Sequence, residues 1–186
     1  MNIKTKAISM VLVAVLTMVA CTPAQVSTAT SMLQGIVSMA SAVIPILAPL
    51  VGVNPVLAAQ IANWIAAVSG GVSSATKITQ STEPNLQKAA DISTAFANTA
   101  MTITDLPPEI APIINSVAGA VNAFVTEYGQ PTQLKARYGE ALKMKLTLTS
   151  GDKSALNNIN SQANAVTAAA QAIVQQVQSG VAAKAN

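Results

Sequence analysis

Histidine is absent from this chain, cysteine and arginine occur once each, and five of its 186 residues are aromatic. Without imidazole there is no Ser-His-Asp or Cys-His centre, and most zinc sites lose their commonest ligand. One cysteine excludes an internal disulfide and CxxC chemistry. Charged residues make up 9% of the chain, against about 25% in a typical globular protein. The net charge of +3 is small and scattered, so it lacks the basic footprint of a nucleic-acid binder. No stretch alternates apolar and polar residues over a strand's length, and alanine, with 35 occurrences, is too abundant for a sheet.

What is present begins at the N-terminus. Lys4 and Lys6 precede an uncharged apolar run, Ala7 to Ala20, and the small residue Ala20 stands before Cys21. This is the order of a secretory signal. The run of 14 residues is short for a spanning helix, which needs about 20. Met18-Val19-Ala20-Cys21 resembles the bacterial lipobox, most often Leu-Ala/Ser-Gly/Ala-Cys, from which Met18 and Val19 depart. The resemblance covers residues 1–21 alone and implies a lipoprotein: cleavage before Cys21, diacylation of its sulfur and acylation of the new amine. The signal is then 1–20 and the lipidated N-terminus with its short tether 21–23. By the same resemblance, Thr22 rather than Asp after the cysteine implies the periplasmic face of the outer membrane. Two or three acyl chains suffice for stable attachment.

The rest reads as an all-α bundle of about six helices over 24–180, with a frayed tail at 181–186. The first segment, Ala24 to Leu50, carries Met32, Leu33, Ile36, Val37, Met39, Val43, Ile44 and Leu47. Pro45 and Pro49 are expected to kink or end it. Gly52-Val53-Asn54-Pro55 makes a tight link, with Asn54 as cap and Pro55 at the first helical position. The second segment, Pro55 to Gln80, keeps its period through Gly70-Gly71 and so is one helix. Its stripe is Leu57, Ile61, Trp64, Ile65, Val68, Val72, Ala75 and Ile78, with Gln60, Asn63, Ser69, Ser73 and Thr76 off it. Ala58, Ala62, Ala66, Gly70 and Ser74 form a small-residue ladder at spacing four.

A third segment runs from about Ser81 to Thr104, with Leu86, Ala89, Ala90, Ser93, Phe96, Ala97, Ala100 and Ile103 as its stripe. The fourth, Pro108 to Tyr128, is marked by Ile110, Ile113, Ile114, Val117, Val121, Phe124, Val125 and Tyr128, with Gly129 as a stop. The fifth, Pro131 to Leu148, holds the cations Lys135, Arg137, Lys143 and Lys145. The sixth follows Gly151-Asp152 and runs to about Ser179. Its buried face is Leu156, Ile159, Ala163, Val166, Ala170, Ile173, Val174 and Val177. Trp64, Phe96, Phe124, Tyr128 and Tyr138 are expected core anchors.

Chemistry is sparse. Two Ser-x-x-Lys pairs, Ser74/Lys77 and Ser150/Lys153, are near chance frequency, and neither the Ser-Asp-Asn nor the Lys-Thr-Gly partner motif is present. Asp105 and Glu109 are read as complementing a helix dipole, and Asp152 as a cap. No catalytic residue, cofactor, metal ligand, small-molecule substrate or nucleic-acid partner is expected. The remaining site is Cys21, whose acylation makes the membrane one partner; an envelope protein is a further candidate.

From Thr22 to Thr76 the chain carries no charge over 55 residues. A helix pair in a bundle core satisfies this pattern, as does a membrane hairpin over residues 33–75. The prolines, Gln60, Asn63 and the serines favour the core. The leading function is a non-catalytic envelope lipoprotein acting by surface contact. The alternatives are a membrane-active or phage-exclusion-type lipoprotein that inserts the hairpin, and a histidine-free hydrolase.

Overall fold

The computed structural model describes residues 23–99, 103–132, 135 and 148–185. Among them the secondary structure is helical throughout. The elements are α1 (Pro23–Val53), α2 (Pro55–Gln80), α3 (Asn85–Ala95), a single 3-10 turn at Ala97–Thr99, α4 (Ala111–Tyr128) and α5 (Ser150–Ala185). The signal segment, Cys21, Ala100, and Arg137, Tyr138, Glu140, Lys143 and Lys145 of the expected fifth helix lie outside the described residues.

The helix ends follow local chemistry. At the α1–α2 link the Asn54 side chain accepts a hydrogen bond from Leu57 N–H at 3.1 Å, and Pro55 opens the helix. At α5 the Thr149 hydroxyl accepts from Asp152 N–H, and Asp152 carboxylate accepts from Thr149 N–H at 2.9 Å. This is a reciprocal capping box with Thr149 as cap and Asp152 three residues in, so α5 starts at Ser150 rather than after the expected Gly151-Asp152, and Asp152 supports the cap from the first turn instead of being it. The bonds to Thr149 hold the Asp152 carboxyl below its ordinary pKa. α4 ends at Gly129, whose N–H reaches the Val125 carbonyl at 2.8 Å. A Cβ there would stand 2.9 Å from that same oxygen, so the stop takes glycine for closeness.

Seven-residue spacing organises the packing. On α5, Leu156, Ile159, Ala163, Val166, Ala170, Ile173 and Val177 are buried in strict steps of three and four. On α1, Val26, Ala29, Leu33, Ile36, Ala40, Val43 and Leu47 do the same. Such seams suit helices packed nearly parallel, side chains of one filling holes of the next. α2 packs against both, most extensively against α5, and α1 and α5 also meet directly, where Gln34 donates to Gln162 at 2.7 Å; α3 lies on α2, and α4 on α1. The buried side chains form one continuous core.

Several expectations are corrected. α1 runs unbroken through Pro45 and Pro49 to Val53. Both prolines sit on its exposed side, so the ring displaces no neighbour and the seam holds the helix together. Ser69, Ser73 and Thr76 are buried rather than peripheral, because α2 is covered from several sides. The ladder of small residues does not stay on one face: Ala58 and Ala62 are buried, whereas Ser74 is exposed. Steps of four drift by about 40° each around a helix of 3.6 residues per turn.

α3 stops at Ala95, short of Thr104; its buried residues are Lys88, Ala89 and Ile92, and Phe96 is buried just past its end. Leu86, Ser93 and Ala97 are exposed instead. Lys88 lays its stem along apolar surface and donates to the Thr79 carbonyl at 3.0 Å. Burial pushes its ammonium pKa down, opposed by the nearby Glu83 carboxylate. α5 continues to Ala185, through the segment expected to fray after Gly180.

Candidate functional site

Three features bear on function: the N-terminal end of α1, an aromatic-lined cleft and the turn joining α1 to α2. The described helix α1 begins at Pro23, two residues after Cys21.

The cleft lies between α2, α3 and α4 and has a volume of about 450 Å³. It exists because α3 ends early. Phe96 drops onto α2 at Gly71, where a Cβ would stand 2.6 Å from the ring. The next carbonyls leave the helix, and Trp64 Nε1 donates to the Thr99 carbonyl at 3.0 Å. Phe96 meets Phe124 of α4 edge-on at 5.9 Å between centroids, and Phe124 lies 5.1 Å from Tyr128. Ile114, Val121 and Val125 of α4 close one wall, and Ile103 and Leu106 the mouth. The polar groups on the lining are Ser93, Thr99, Asn115 and Asn122, all neutral. Such a lining fits an uncharged, largely apolar group and offers no acid, base or charged nucleophile.

Asp105 precedes α4 in the left-handed backbone region, with φ of 60°. Neither it nor Glu109 lies within the first turn of α4, whose cap, Ile110, receives no side-chain bond. Both acids thus stand ahead of the helix rather than capping it. Ser74 and Lys77 are exposed on α2, and Ser150 and Lys153 on α5, away from the cleft. Among the described residues no three acidic or cysteine side chains gather where they could hold a metal ion.

The aromatic anchors divide as follows. Trp64, Phe96 and Phe124 are buried, Tyr128 is half-buried against the core, and Tyr138 is outside the described residues. The cleft itself escaped the sequence reading. It joins Trp64 to residues 50 and 60 positions later, and periodicity reports only neighbours on one helix. The one local hint was Phe96 at the end of a helical pattern.

The α1–α2 turn is the third feature. Two helices, Val26–Val53 and Pro55–Gln80, are long and apolar enough to cross a membrane by length and composition. Their surroundings differ. The most apolar window of the first is 28% buried, that of the second 61%. In α2, Ser73 Oγ lies 2.6 Å from Asn160 Oδ1 and 2.9 Å from Asn164 Oδ1 on α5. In α1, the exposed residues at the C-terminal end are Ala42, Pro45, Ala48, Pro49, Gly52 and Val53.

No protein-family model, curated protein or solved structure matches this chain.

Proposed function

We propose that the protein is a non-catalytic lipoprotein of the bacterial envelope. In this reading it is cleaved before Cys21, tethered through that acylated residue, and acts by surface contact with a protein, lipid or wall component. The observation that carries the reading is the order of the first 21 residues: Lys4 and Lys6, an uncharged run to Ala20, then the chain's one cysteine. The start of α1 at Pro23 supports it, since an anchor at Cys21 then brings the bundle directly to the lipid surface. By its resemblance to other lipoproteins, Thr22 directs it to the periplasmic face of the outer membrane. The mature chain completes a bundle of about six helices, with 131–148 as the fifth on sequence grounds.

Insertion of the whole 33–75 hairpin is the second reading, favoured by the lack of charge from Thr22 to Thr76. It requires α2 to leave α1, α3 and α5 and to break its Ser73 bonds to Asn160 and Asn164. The buried position of α2 therefore supports the tethered bundle.

Mass spectrometry of the protein purified from bacterial membranes tests the anchor. The expected result is an N-terminal Cys21 carrying acyl chains, with residues 1–20 missing. An intact Met1, or a first residue other than Cys21, overturns the reading. Cys21→Ser is expected to leave the chain unprocessed, or released when another peptidase cuts it.

A further inference from the structure

Four large hydrophobic side chains are conspicuously exposed among the described residues: Val53 at 84%, Val56 at 64%, Val181 at 54% and Leu86 at 39%. The first three share one end of the bundle. Gln80 bonds Asn157 and Ser73 bonds Asn160, so α2 and α5 run antiparallel in a known register. Moving about 18 residues back from Ser73 reaches the α1–α2 turn, and moving the same distance forward from the Asn160–Asn164 level reaches about residue 180. Val181 therefore lies at the level of Val53 and Val56. Pro49, Ala48 and Gly52 are also exposed on this end of α1.

The turn is unusual in its polarity. From Ala42 to Ala59 the one polar side chain is Asn54, and its Oδ1 already accepts from Leu57 N–H. Part of the backbone is paired: Asn54 N–H donates to the Leu50 carbonyl at 2.7 Å, Ala58 N–H donates to the Asn54 carbonyl at 3.0 Å, and Pro55 has no donor. In hydrocarbon each unsatisfied backbone group costs several kcal/mol, so the turn's backbone suits the headgroup boundary, where water still reaches it, while the uncharged apolar side chains gain by leaving water.

We infer that this end of the bundle, Ala48 to Val56 with Val181 beside it, is a membrane-contact tip that dips into the acyl region of a bilayer while α2 stays in the protein core. The absence of charge from Ala48 to Val56 matches hydrocarbon; on α5 the nearest charge is Lys184, three residues past Val181. The tip lies at the opposite end of α1 from the anchor, about 46 Å away for 31 residues. Both ends meet one membrane when α1 lies along its surface. Its exposed stripe then grades from Ser27, Ser31, Ser38 and Ser41 near the anchor to Ala42, Pro45 and Pro49 near the tip. The inference rests on the tethered reading for bringing the bundle to the lipid, and it differs from hairpin insertion in keeping Trp64 out of the bilayer.

The test uses the full chain, processed in a bacterial host and reconstituted into phosphatidylethanolamine–phosphatidylglycerol vesicles doped with chain-brominated phosphatidylcholine. Tryptophan is introduced as Val53→Trp and, on the exposed side of α3, which lies on α2, as Thr94→Trp. The emission added by Val53→Trp is expected to shift to the blue and be quenched, whereas that from Thr94→Trp and from the native Trp64 is retained. Adding Val56→Asp to the Val53→Trp protein is expected to abolish the quenching without changing the melting temperature, since Val56 is exposed. Unquenched emission from Val53→Trp overturns the tip. Quenching of Trp64 as well overturns it in favour of the inserted hairpin. A blue shift that appears without vesicles and grows with protein concentration overturns it in favour of contact between copies. Flotation of the vesicles and the mass of the N-terminus report the anchor separately. Acylated, floating protein with an unquenched Val53→Trp refutes the tip alone. If Cys21 is unmodified, the same quenching on added vesicles is still required, and its absence refutes both.

Discussion

Ser69 is fully buried, and its hydroxyl has no hydrogen-bond partner. A buried hydroxyl without a partner loses its water and gains nothing, at a cost of about 1–3 kcal/mol. Ser69→Ala is therefore expected to leave stability unchanged or raise it, in urea or thermal unfolding. Ser73→Ala is expected to lower stability by about 1–3 kcal/mol, because Asn160 and Asn164 lose the hydroxyl that they share. One hydroxyl carries one proton, so it donates to the Oδ1 of Asn160 or of Asn164 at any one time. The adjacent glycines also separate. Gly70 has open space where a Cβ would stand, and Gly71 has the Phe96 ring. Gly70→Ala is expected to stabilise by about 0.8–1 kcal/mol through helix propensity. Gly71→Ala is expected to destabilise by about 1–3 kcal/mol, because the ring must move from a packed site. The pair Gly70-Gly71 is visible in the sequence as a weak point, but nothing in it tells the two apart. Their difference is made by Phe96, 25 positions away.

Among the elements, α1 accommodates two prolines within a continuous helix. Pro45 and Pro49 withhold the N–H groups that the carbonyls of Ser41 and Pro45 would receive, yet the helix is continuous. Pro49→Ala restores a donor on an exposed face and is expected to raise the unfolding free energy by about 1–3 kcal/mol. At the start of α5, Asp152 binds a proton less readily when folded than when unfolded. Its capping contribution is thus present above the unfolded carboxylate pKa of about 3.9 and is lost as pH falls through the lower folded value. Asp152→Asn is expected to flatten that part of the acid-unfolding profile, measured by circular dichroism from neutral pH downward. The helices themselves were largely legible: the expected stripes of α1, α4 and α5 are buried or half-buried residue for residue. The face and end of α3 were not. Lys88 looks polar but buries its stem, and Trp64 claims the Thr99 carbonyl that a longer helix would use.

In the whole molecule, the position of α2 decides how the long uncharged stretch is used. Ile65 and Ile61 are fully buried in a helix covered by α1, α3 and α5. Ile65→Lys places an unpaired charge there, at a cost comparable to the 5–15 kcal/mol that holds a typical domain together. It is expected to abolish the cooperative melt and shift Trp64 emission toward that of exposed indole. Asn63→Lys, on the exposed strip of the same helix, is expected to fold normally. A helix that met lipid on every side would treat the two alike. The cleft, the central helix and the apolar end all arise at this scale, from contacts between residues 35 to 128 positions apart.

Helical class, helix boundaries at Pro55 and Gly129, and the seven-residue stripes follow from the sequence alone. They depend on dihedral preferences, capping side chains and a period of 3.6, all of which act within one turn of chain. The order of residues leading to Cys21 is likewise a local signal, and it can be read without a fold. Tertiary structure alone decided which apolar helix is enclosed and which is left exposed. Two long apolar helices, the first uncharged and the second carrying Lys77 alone, look alike in sequence, because burial depends on how the other helices are arranged around each. Among the described residues each packs on three helices, but α2 lies most extensively against α5 and buries even Ser69 and Ser73, whereas α1 has its seam covered and its proline-bearing side open. That difference leaves Val53 and Val56 in water at the end of an otherwise closed core.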